Sequence, residues 1–125
     1  MVDERAFSRY PVPEAAEVHA TVAFDGQAYY GRVTDLSLHG LFVTLQADIP
    51  QDAEVEVTLR TGGQHAGIPL TCHGRAVWIS RDGVGIEIRY MDSRTFTQYR
   101  NLVAAICRDP DELHSQLRAY VNPPS

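Results

Sequence analysis

Val18-His-Ala-Thr-Val-Ala-Phe24 is followed by Asp25-Gly26 and then by Gln27-Ala-Tyr-Tyr-Gly-Arg-Val-Thr-Asp35-Leu36. Two β-rich runs joined by Asp-Gly are a strong hairpin signal, because both central residues of the tight turn need a left-handed backbone. The same grammar continues downstream. Leu41, Val43 and Leu45 alternate with Phe42, Thr44 and Gln46. Val55, Val57 and Leu59 alternate with Glu54, Glu56, Thr58 and Arg60, a half-buried strand with its two glutamates on the solvent face. Thr61-Gly62-Gly63 turns the chain into a long strand over 68–80, where Gly74 marks a bulge or bend. Asp82-Gly83 makes another tight turn, and Val84, Ile86, Ile88 and Tyr90 alternate behind it. Six strands, short turns and no intervening helix predict a mainly β fold, a six-stranded antiparallel barrel with C-terminal helices. Closure would remove the exposed strand edges. No internal repeat or low-complexity segment stands out.

The flanks read differently. Residues 1–17 form an irregular leader, because Pro11 and Pro13 disfavour helix and interior strand. Residues 18–91 form the barrel, and residues 92–125 a helical extension of the same single domain. Phe96, Tyr99, Val103, Ile106 and Cys107 follow helical spacing, with Asp92 or Ser93 as N-cap. Asp109-Pro110-Asp111-Glu112 then opens a second helix, with Leu113, Leu117, Tyr120 and Val121 as its apolar stripe, before Asn122-Pro123-Pro124 stops it.

Composition narrows the function classes. The chain has 125 residues, 44% hydrophobic and 22% charged, as in ordinary globular domains. That length buries a sufficient core without a disulfide or metal. Cys72 and Cys107 read as reduced core residues of a cytoplasmic protein. The polar N-terminus lacks the apolar stretch of a signal peptide, and no run is long enough to insert into a membrane. A net charge of −5 argues against a nucleic-acid polymer as partner. It leaves room for one small anion held by well-placed arginines. The five histidines show no metal-ligand spacing, so no metal and no cofactor are expected. His39 reads as a loop residue or ligand neighbour.

Two motifs carry chemistry. Arg5-Ala-Phe-Ser-Arg9 is RxxxR in the leader, and Asp35-Leu-Ser37-Leu-His-Gly40 is DxSxxG at the end of the second strand. Arginine grips phosphate oxygens and the O6/N7 edge of guanine bidentately. A carboxylate accepts from the N1–H and N2–H₂ edge of the same base. Each residue also has a plainer reading. Terminal arginines are usually solvated, Asp and Ser often just build turns, and Trp78 is equally a core-filling residue.

The two motifs in this order, with Gly83-Val-Gly85-Ile-Glu87-Ile88 as a glycine-rich last strand and a helical end, resemble the PilZ-domain family. The resemblance covers most of the chain. It implies a stand-alone, non-enzymatic bacterial receptor for the second messenger cyclic di-GMP, with outputs across the family in motility, exopolysaccharide, biofilm and virulence. It also implies ligand-binding roles for Arg5, Arg9, Asp35, Ser37 and Gly40. Trp78 would be the aromatic that some members pack on a guanine. Ligand binding would reorder the leader, and a protein partner would read the change. Relatives that bind two stacked ligands carry a further arginine just before RxxxR. Here Asp3 and Glu4 precede the motif, which weighs against two-ligand stoichiometry and high affinity. The alternative is a PilZ-like interaction module, for example in type IV pilus or motility control, that does not bind the nucleotide. No metal site or positioned base and nucleophile suggests an enzyme such as a phosphodiesterase.

Overall fold

The computed structural model describes residues 10–13, 16–62 and 69–106. Its strands are β1 (Tyr10–Pro11), β2 (Val18–Phe24), β3 (Gln27–Leu36), β4 (Gly40–Thr44), β5 (Glu54–Thr61), β6 (Leu70–Ile79) and β7 (Val84–Tyr90), followed by helix α1 (Ser93–Ile106). The sheet runs β1-β3-β2-β5-β6-β7-β4, and β4 pairs back onto β3. The six strands β2 to β7 therefore close into an antiparallel barrel, with β1 as an added strand. Asp25 and Gly26 both adopt positive φ, 51° and 78°, as their hairpin turn requires.

Alternation sorts the side chains. Val18, Ala20 and Val22 of β2 face Val57 and Leu59 of β5 inside the barrel, all essentially inaccessible to solvent. Burying side chains of this size contributes about 1.5–3 kcal/mol each. Glu54 and Glu56 are exposed, as the alternation predicts. Gly74 sits at a register shift between β6 and β7; a Cβ there would lie 2.7 Å from the Glu87 carbonyl oxygen.

The leader departs from the reading of residues 1–17 as irregular. Tyr10 pairs with Leu36 and Pro11 with Asp35. The Val12 N–H donates to Thr34 O at 2.8 Å, so the antiparallel bonding steps past Pro11, whose nitrogen has no proton to give. An edge strand tolerates proline for that reason. Tyr10 and Val12 are buried, which anchors the pairing.

Asp92 caps α1: Thr95 N–H donates to its Oδ1 at 2.7 Å. The helix buries Tyr99, Leu102 and Val103 and packs against β6 and β1. Cys72 is a buried free thiol; burial first, and the Glu56 charge second, push its pKa up to about 11. Cys107, the second helix and the turn at Gly63 lie outside the described residues.

Candidate ligand site

Asp35 lies near the end of β3, opposite Pro11 on one side and Phe42 on the other. Phe42 pairs with Gly85 of β7, and Gly85 pairs with Trp78 of β6. Pro11, Asp35, Phe42, Gly85 and Trp78 thus form one row across five strands. Three interstrand steps separate Asp35 from Trp78, roughly 14 Å. Gly85 leaves the middle of the row low, and the Phe42 and Trp78 rings stand 6.0 Å apart around it. Trp78 is 49% exposed, so it is not core filling.

Two bulges create this row. Val33 pairs with Val43 and Asp35 with Phe42, so Thr34 is an extra residue in β3. Ala76 pairs with Ile86 and Trp78 with Gly85, so Val77 is an extra residue in β6. Strict alternation would turn Asp35 inward with Val33, and Trp78 inward with Ala76. Each bulge reverses the phase and puts the Asp35 or Trp78 side chain outside, while Leu36 returns to the core.

The two hairpins are also copies of one design. Residues 31–43 and 74–86 align without a gap and share Gly31/Gly74, Arg32/Arg75, Ser37/Ser80 and Gly40/Gly83. Four identities over thirteen residues do not make a sequence repeat; the likeness emerges when the geometry aligns the two hairpins. Both turns use serine in the same way. Ser37 N–H donates to Gly40 O at 2.9 Å, and Ser80 N–H to Gly83 O at 2.9 Å. The Ser37 Oγ accepts from His39 N–H at 3.2 Å, and the Ser80 Oγ from Asp82 N–H at 3.3 Å. The glycines match too. A Cβ on Gly40 would collide with the Ile86 carbonyl oxygen, and one on Gly83 with that of Val43. Close backbone approach, not a left-handed conformation, is what calls for glycine at position 40.

Ser37 is 6% exposed, with its hydroxyl turned into its own loop. His39 is half-buried; burial lowers its pKa from the ordinary histidine value, with Glu87 opposing. A groove of about 390 Å3 opens beside this turn, lined by Leu38, His39, Ile88, Tyr90, Met91 and Phe96 among others. A cleft of about 510 Å3 on the outer face of β5 to β7 mixes Glu54, Glu56, His73, Arg75 and Arg89. Arg5 and Arg9 lie outside the described residues, although Arg9 directly precedes β1 in the chain. Among the described residues, no cluster of three His, Cys, Asp or Glu could hold a metal, and no helix is long and apolar enough to cross a membrane.

The family model for the PilZ domain matches residues 3–105. The chain belongs to the PilZ domain family. Among solved structures, the PilZ domain of YcgR from Escherichia coli with c-di-GMP superposes at a TM-score of 0.66, with 13% identity, over 98% of this chain and 100% of that one. The PilZ domain of CeSA from a cellulose-synthesizing bacterium gives 0.56 and 17%, over 79% and 94%. The Bacillus subtilis inhibitor of motility MotI/DgrA gives 0.58 and 11%; the match covers 98% of this chain but 54% of MotI. At these identities the likeness shows the fold. A search of curated proteins gave no match.

Proposed function

We propose that this PilZ domain is a bacterial cytoplasmic receptor for cyclic di-GMP, and that it signals to a protein partner by reordering its leader. The observation that carries this reading is the row from Pro11 to Trp78. It joins the strand on which the RxxxR leader is anchored, the aspartate of DxSxxG and an outward tryptophan on one face. Asp35 would accept from a guanine edge, and Trp78 would stack on a base. Arg5 and Arg9 would close over the phosphates and the guanine edge from the leader side. Ser37 and Gly40 would shape the turn that presents Asp35. The YcgR neighbour was solved with this ligand, which supports the choice of nucleotide.

The role is binding without turnover; hydrolysis of the dinucleotide on prolonged incubation would overturn it. Calorimetric titration with cyclic di-GMP should give saturable binding. Arg5→Ala, Arg9→Ala and Asp35→Ala should each weaken it about tenfold or more, since a charge-assisted hydrogen bond contributes about 1.5–3 kcal/mol. The thermal midpoint should stay close to that of the wild type. Undiminished binding in all three variants would sink the site assignment. A second reading, a non-binding interaction module, draws on the groove of mixed polarity beside the motif turn and on the acids Asp3 and Glu4. Absence of heat at high micromolar ligand would favour it.

A further inference from the structure

The two serine turns differ in what holds them from outside. Tyr99 of α1, fully buried, donates its hydroxyl proton to Ser37 O at 2.5 Å and approaches Gly40 O at 3.3 Å. Among the described residues, no side chain of another element donates to the carbonyls of Ser80 or Gly83. The second turn nevertheless has the same internal hydrogen bonds. The Tyr99 bond is therefore not needed to form such a turn. It ties a preformed turn to the helix.

The bond has a fixed direction. A carbonyl can only accept, and burial pushes the phenol pKa well above its ordinary value, so Tyr99 keeps its proton. The turn is held on its other side by Ile88 N–H, which donates to His39 O at 2.8 Å. The turn is thereby pinned between β7 and α1. α1 also packs against β1, the strand that continues from the arginine leader. Turn and leader anchor are thus linked through α1.

We infer that Tyr99 is a positioning residue of the candidate ligand site: its hydroxyl fixes the 37–40 turn to α1, so that the element presenting Asp35 and the helix move together. The effect on affinity rests on the proposed cyclic di-GMP function; the effect on the turn does not. Tyr99→Phe keeps the ring and removes the bond. Hydrogen exchange of the ligand-free variant should speed up at least fivefold at the amides of residues 37–40 that the wild type protects, with residues 80–83 unchanged. Its affinity for cyclic di-GMP should fall about tenfold. Leu59→Ala, in the wall far from the turn, serves as the stability control; it should lower the thermal midpoint at least as much while leaving affinity within twofold. Unchanged exchange at 37–40 in Tyr99→Phe, or equal affinity losses in the two variants, would overturn the inference. If the wild type binds no cyclic di-GMP, the proposed function fails, and the exchange experiment still decides the role of Tyr99.

Discussion

The β3–β4 and β6–β7 hairpins share a glycine–arginine start, a bulge, a Ser-x-x-Gly turn and a matching close contact between backbones. They differ in what the bulge turns outward and in what holds the turn. The first presents Asp35 and is bolted to α1 through Tyr99; the second presents Trp78 and, among the described residues, takes no side-chain hydrogen bond from another element. The shared features are therefore architecture, and the differences mark specialisation. By this comparison the serine and glycine of DxSxxG belong to the architecture, since Ser80 and Gly83 repeat them without the aspartate. In the proposed function the aspartate is what would make the first hairpin a site.

The comparison breaks most readily at its glycines. Gly40→Ala and Gly83→Ala each drive a methyl into a neighbouring carbonyl, and each should cost about 1–3 kcal/mol of stability by chemical denaturation. A large inequality between them would show that the two turns are not equivalent supports. Trp78→Ala should separate presentation from architecture. Stacking on a base contributes about 1–3 kcal/mol, so affinity should drop roughly tenfold, while a half-exposed ring leaves stability nearly unchanged. Ser37→Ala and Ser80→Ala should cost about 0.5–1.5 kcal/mol of stability each. Only the first should weaken ligand binding, which titration of both variants would test.

The smallest effect concerns the helix that distinguishes the copies. Hydrogen bonds from the Thr95 backbone and then its side chain hold the Asp92 carboxyl below the usual carboxylate range. A depressed carboxylate pKa stabilises the fold above the unfolded value of about 4, and that contribution fades as pH falls through the folded value. Asp92→Asn should flatten the pH dependence of the thermal midpoint slightly below about pH 4, with no change at neutral pH beyond the loss of one charge.

Much of the barrel was readable from the chain. β2 and β3 occupy the residues marked out by alternation and Asp25-Gly26, the Gly74 irregularity is present, and Asp92 caps the helix. The bulges at Thr34 and Val77 left a fainter trace. The buried positions step by three from Val33 to Leu36, where a regular strand steps by two, and the step from buried Ala76 to half-buried Ile79 is the same. Leu102 completes the buried face of α1 without having stood out in the helical spacing. Helical spacing put Tyr99 on the packed face, but its acceptor lies 62 residues away in the chain, beyond the reach of any local pattern.

The sequence by itself determined the six barrel strands, the tight turns, the capped helix and the order of the two motifs. Those depend on backbone preference and side-chain period, which are properties of neighbouring residues. Tertiary structure alone decided that Asp35 and Trp78 share an outer row, that proline enters a strand at β1, and that one of two equivalent turns is locked to a helix. Each of those outcomes is set by register against a partner strand or by a buried donor meeting a distant carbonyl. Such pairings exist only once the barrel has closed.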